Sequence, residues 1–278
     1  MGLYSCAMTL LILRQARPLA YGLAALCLLT SGRLHAQNNF EVQVYGAELI
    51  PPVRTIFELH SNYTSKGSQS VTNGVSPTYH ALHETIEITH GFTDWLEVGF
   101  YTFLAVPSGG GLEYVGNHIR PRVSAPARWQ WPVGVSLSTE IGYQVRSYSE
   151  DTWSWEIRPI VDQQIGRFYW AVNPTFEVAL VGENVGQGAE FNPSAQVNFD
   201  ISTRFNLALE YYAGLGPLSS LLPVDETDQQ LIPAVNIDFG PDWEFNFGTG
   251  IALTPNTDRL LFKMIFGRRI GRERGAQK

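Results

Sequence analysis

Cysteine is almost missing from this 278-residue chain: there are two, Cys6 and Cys27, and both lie in the first 36 residues. Beyond them no disulfide and no thiolate metal site can form. Charge is also scarce, at 16% of residues, where an ordinary soluble domain carries about 25%. Lysine occurs only as Lys66, Lys263 and Lys278. A soluble all-β protein would set Lys and Glu on its exposed face, so this scarcity argues against one. After residue 36 no run approaches 18 consecutive apolar residues, which excludes a transmembrane helix there.

Residues 1–36 contain no Asp or Glu, carry Arg14 and Arg17, run apolar from Leu19 to Thr30 and end in Leu34-His35-Ala36. That pattern is an export signal, with cleavage expected after Ala36. Its long first stretch is compatible with translation starting at Met8. Leu26 is a poor neighbour for a lipid-bearing Cys27. Without the signal, 16 basic residues face 26 acids, a net charge of −10. Nucleic-acid binding needs a basic face and is disfavoured.

What the chain does have is alternation. Val133, Val135, Leu137, Ile141, Tyr143 and Val145 share one parity, against Gly134, Ser136, Ser138, Glu140, Gly142 and Gln144. The same ribbon recurs from Phe168 to Leu180. Strand side chains point alternately to two faces, and about 9–11 such residues cross a bilayer. The pattern predicts twelve strands, at 55–63, 78–90, 95–106, 118–125, 133–147, 153–165, 168–180, 189–200, 205–214, 229–239, 243–253 and 259–267. Short and long connections alternate between them, as periplasmic turns and external loops do. The expected fold is a transmembrane antiparallel β-barrel of the outer membrane, with both termini periplasmic. Residues 37–54 read as a periplasmic lead-in strap, with a plug as the alternative, 55–267 as the barrel and 268–278 as a basic tail with five basic residues and one acid from 267 on.

Tryptophan favours the membrane boundary because its ring is apolar while its N–H needs a partner. Trp95, Trp129, Trp131, Trp170 and Trp243, with Phe205, mark the periplasmic end of the barrel, and Trp153 and Trp155 the external end. Three residues break the parity. Glu84 falls on the lipid face unless a bulge between His83 and Thr85 turns it inward, while Leu261 and Ile265 fall on the inner face.

The turn His90-Gly91-Phe92-Thr93-Asp94-Trp95-Leu96-Glu97-Val98-Gly99 resembles the Gly-x-Thr-Asp-x-Leu-Glu-x-Gly element of a bacterial outer-membrane family named for a MetA pathway of phenol degradation. Looser echoes lie at 200–207 and 239–245. The resemblance implies a transporter-like barrel and carries no catalytic residue or cofactor with it.

Inward charges are the candidate site: Glu58, His60, His83, Glu87, Glu97, Arg120, Arg122, Glu140, Arg146, Glu156, Arg158, Asp162 and Glu177. Opposed charges across a pore screen small solutes. The same charges could equally satisfy one another in a filled lumen. A symmetric first loop would pair residues whose numbers sum near 141, setting Glu58 beside His83; a sum near 258 would set Arg120 beside Ser138. Metal binding by Glu58, His60, His83 and Glu87 is conceivable but not favoured. Serine hydrolysis is disfavoured because His118 and Ser124 lie about 20 Å apart along a strand and no Gly-x-Ser-x-Gly element occurs. The apolar loop 215–228 could form a lid between Pro217 and Pro223. The reading is a passive channel for a small molecule, aromatic or apolar if the resemblance holds. A plugged structural or adhesive barrel and a lipid hydrolase are the alternatives. Its expected partners are outer-membrane lipid, the barrel-assembly machinery and the solute.

Overall fold

The computed structural model describes residues 39–271, so the signal segment and most of the basic tail lie outside it. Twelve strands follow in order: β1 (Thr55–Lys66), β2 (Ala81–Gly91), β3 (Leu96–Val106), β4 (Glu113–Ser124), β5 (Gly134–Gln144) and β6 (Asp151–Ile165). Then come β7 (Phe168–Asn173, resuming as Phe176–Gly182), β8 (Glu190–Phe191, resuming as Ser194–Asp200), β9 (Phe205–Gly214), β10 (Asp228–Ile237), β11 (Trp243–Ala252) and β12 (Leu260–Ile270). Each pairs antiparallel with its sequence neighbours, and β1 pairs with β12, so the sheet closes with no free edge. Closure satisfies the backbone without water, which lipid requires.

The two interruptions sit side by side. Pro174 and Pro193 each lack an N–H and cannot extend a ladder, so β7 and β8 break at the same level. Strand β4 begins five residues earlier than its alternation suggests and carries an irregularity at Val115, opposite Phe103 and Leu104. β12 runs on to Ile270, so Arg268 and Arg269 belong to the wall and pair with Phe57 and Ile56; the tail is shorter than expected.

Register differs from the sequence estimate. Glu58 faces Glu87 across β1–β2, and His83 faces Asn62. The first loop is asymmetric: β1 outlasts its expected end by three residues and β2 starts three later. Across β4–β5, Ile119 faces Ile141 and Arg122 faces Ser138, a sum of 260.

The two faces are the inverse of a soluble protein. Phe57, Leu59, Ile86, Ile88 and Phe100 are exposed, while Glu58, His60, Thr85 and Glu87 are buried. Such an exterior calls for hydrocarbon. Glu84 stays on the outer face, for β1–β2 and β2–β3 run through it without a bulge. It accepts a 2.7 Å hydrogen bond from Ser61 directly opposite. Trp95, Trp129, Trp131, Trp153, Trp155 and Phe205 are exposed, and Trp170 and Trp243 half-buried, all at or near strand ends. Trp155 Nε1 donates to Thr139 at 2.7 Å, and Arg268 lies over Trp243 at 4.8 Å.

The loop between β9 and β10 forms no helical lid between Pro217 and Pro223. Pro223 begins a single 3-10 turn, Val224–Glu226, and Pro217 bridges to Glu190. Leu218, Leu221 and Val224 are exposed.

Candidate functional site

The lumen is occupied by the chain itself. Asn39–Ile50, expected as a periplasmic lead-in, runs extended through the barrel interior. At one end Asn39 donates to Asp258, beside the long loops, at 2.9 Å; at the other Ile50 N–H donates to Glu97, beside the short turns, at 2.7 Å. A turn at Pro51–Arg54 then reverses the chain into β1, closed by Arg54 N–H to Pro51 O at 3.1 Å. Val53 sits there at φ 62°, a left-handed conformation that a β-branched residue adopts only under strain. Gly91 is required beneath this turn, because a Cβ on it would lie 2.1 Å from Ile50 O and 2.5 Å from Pro51 O.

Every wall strand is already paired on both sides, so side chains must satisfy the segment's backbone. Asn62 donates to Asn39 O (2.8 Å), Thr85 to Phe40 O (2.8 Å), Lys263 to Val42 O (2.9 Å) and Gln196 to Val44 O (2.9 Å). Asn173 brackets Tyr45, accepting from its N–H at 2.7 Å and donating to its carbonyl at 2.9 Å. Arg122 reaches Gly46 O and Glu48 O, both at 2.9 Å, and Ser124 reaches Ala47 O at 2.7 Å. Asp162 accepts the Ala47 N–H at 2.8 Å.

Apolar contacts complete the fit. Phe40 packs on Phe103 with ring centroids 5.3 Å apart and meets His83 edge-on at 4.8 Å. Val42 packs with Ile232 and Leu261, which accounts for the apolar inner parity of β12. Tyr45 lies at the centre. The guanidinium carbons of Arg120, Arg158 and Arg122 are 4.5, 4.7 and 5.6 Å from its ring, and its hydroxyl is 3.3 Å from that of Tyr101. Each backbone bond contributes about 1 kcal/mol net and each buried large side chain about 2 kcal/mol. Ordering costs about 1.5 kcal/mol per residue. Over twelve residues the two sides balance within a few kcal/mol.

The inward charges form pairs around this segment. Arg120 binds Glu87 at 2.8 Å and Glu97 at 3.5 Å, Arg122 binds Glu97 at 2.8 Å, and His60 lies 3.4 Å from Glu87. Arg158 binds Glu156 at 2.8 Å and approaches Glu41 at 4.0 Å. Glu140 meets His118 at 2.5 Å, and Lys263 meets Glu210 at 2.6 Å. Arg146 lies past the end of β5, where it pairs with Glu183 at 2.9 Å. Ligand atoms of Glu58, His60 and Glu87 come within 4.8 Å of one another. His83 is turned to Phe40 instead, and Arg120 already supplies Glu87 with positive charge. Ser61 points outward and Ser124 holds Ala47, so neither serine meets a histidine in a catalytic arrangement.

Space remains on one flank. A cavity of about 130 Å³ lies toward the long loops, bounded by Phe40, His118, Tyr148, Asp151, Glu177 and Glu190. A second, about 170 Å³, touches Glu41, Glu156, Arg158, Glu177, Glu190 and Asp228 and lies against the proline breaks. At the rim, burial and the neighbouring Glu113 carboxylate push the Tyr148 hydroxyl above its ordinary range.

The Asn39–Ile50 lumen strap and Tyr45 are absent from the sequence-derived site. Their signal is present in the chain: Tyr101, Phe103, Ile232, Leu261 and Ile265 are apolar on the inner parity and need something apolar to cover them.

No protein-family model matches the chain, and no curated protein is detectably similar in sequence. Among solved structures, the KdgM porin matches with a TM-score of 0.49 at 7% identity, covering 78% of this chain and 99% of its own. The NanC porin matches with a TM-score of 0.52 at 8% identity over the same shares, and this likeness shows a shared outer-membrane barrel fold.

Proposed function

We propose that the protein is a passive outer-membrane channel for small polar solutes, its lumen narrowed by Asn39–Ile50 to a lane along β6–β8. The observation that carries this reading is the pair of adjoining cavities beside the segment, both bounded by Glu177 and Glu190. A lane lined by several carboxylates and one arginine, already paired with Glu156, favours cations. The carboxylates bounding both cavities suit a polar, positively charged solute better than the aromatic or apolar class expected from the sequence. Membership of the MetA-pathway family is likewise proposed, on the 90–99 turn.

The folded barrel in planar bilayers supplies the test. Steady conductance with cation preference is expected, and Glu177→Gln with Glu190→Gln should move the reversal potential toward non-selectivity. Silence from heat-modifiable, folded protein would favour the plugged structural barrel, which the filled axis also suits. Unchanged selectivity in the variant would reject the acidic lane.

A further inference from the structure

We propose that the lumen wall is a binding site for an extended peptide, and that residues 39–50 are its resident, releasable ligand. The channel reading gives this site its consequence, since release would widen the passage; the binding itself stands on separate observations.

The first observation is what the wall reads. Asn62, Thr85, Arg122, Asn173, Gln196 and Lys263 come from six different strands, and each bonds a main-chain atom of the segment. Recognition aimed at carbonyls and N–H groups is available to any extended peptide of suitable length.

The second is a single side-chain pocket in the middle of the path. Three guanidiniums surround the Tyr45 ring, while Tyr101 meets its hydroxyl, so the site selects an aromatic residue at one position. Five residues earlier Phe40 fills a smaller aromatic contact on Phe103. The ligand class is therefore a peptide of about twelve residues, extended, with an aromatic residue near its centre.

The third is an incomplete grip. The second cavity borders the segment at Glu41, Val42 and Gln43, so this stretch faces the acidic lane in place of close-packed wall. With the export segment removed as its sequence predicts, the turn at Pro51–Arg54 is the covalent link between the segment and the wall, so the segment can leave toward the short-turn end without disturbing the wall's ladders.

Two measurements made without conductance test this, so silence in bilayers would sink the channel reading and leave the inference standing. In the first, protein lacking residues 39–50 is folded in detergent and titrated with a labelled synthetic peptide of that sequence. Saturable binding is expected, with the Tyr45→Ala peptide weaker by about tenfold. In the second, which does not depend on the deletion folding, Val42→Cys is introduced into the full chain and treated with a small thiol reagent. Position 42 is 2% exposed when seated. Labelling of folded barrels is expected, faster when Gly91→Ala displaces the turn and faster again with excess free peptide, which holds the segment out. Absence of peptide binding by a folded deletion protein would overturn the proposal. So would equal, negligible labelling of both full-chain proteins while their barrels stay folded, which would make the segment a fixed part of the wall.

Discussion

Single residues carry more of this barrel's stability than their number suggests. Lys263 is 1% exposed and bound to both Glu210 and Val42 O. Removing one partner of a buried pair strands the other charge, at about 3–5 kcal/mol. Lys263→Ala should therefore lower the barrel's urea midpoint markedly, while the same variant combined with Glu210→Gln recovers part of the loss. Val53 presents the opposite case. Its left-handed backbone is strained, so Val53→Gly should stabilise the folded state by about 1 kcal/mol, less what glycine adds to the unfolded chain's freedom. A lower thermal midpoint would show that the turn is not strained at that residue. Glu84 is a third. A carboxyl on the lipid face is satisfied only by Ser61, and Glu84→Leu should raise the unfolding midpoint in lipid vesicles.

At the level of elements, alternation told most of the story. Strand number and order followed from period-two patterning, because lipid permits almost no exception on the outer face, while ends of β1, β2, β4 and β12 shifted by three to five residues. The inner face has no such single rule. Tyr101, Phe103, Ile232 and Leu261 look like errors in a water-filled lumen and become sensible only once Phe40 and Val42 are laid against them. Register was less legible, since it depends on how a fourteen-residue loop divides its length between two strands. Apart from Arg146, which lies beyond β5, the inward charges sit within the wall strands, yet their partners were not readable: Arg122 spends its donors on Gly46 O and Glu48 O, atoms with no sequence signature. This changes what their removal should do. Arg120→Ala with Arg122→Ala loosens the segment as well as removing positive charge, so conductance should rise together with cation preference. A selectivity shift at constant conductance would show that the arginines act as a filter alone.

For the whole molecule, the exposed apolar belt and the acidic interior set two expectations. The barrel should remain monodisperse only in detergent or lipid. Its cation preference should fall as salt rises from about 0.1 to 1 M, because the Debye length shrinks from about 10 Å to about 3 Å and the carboxylates stop acting across the lane. A preference independent of ionic strength would point to size exclusion in place of charge. The cavities and the proline breaks lie in the same sector, β6–β8, whose Asp162, Asn173 and Gln196 also hold the strap, so the proposed passage and the strap share that side of the barrel.

The turn at Pro51–Arg54 has a kinetic corollary. A ligand tied to its receptor by a few residues meets it at a local concentration in the millimolar range, whatever the bulk solution contains. Reclosure is then a first-order event private to each barrel, and the dwell time of an open state should not change when the membrane is packed with more copies. A competitor arriving from solution must outbid that tether, so only an abundant or tightly held guest could keep the strap out.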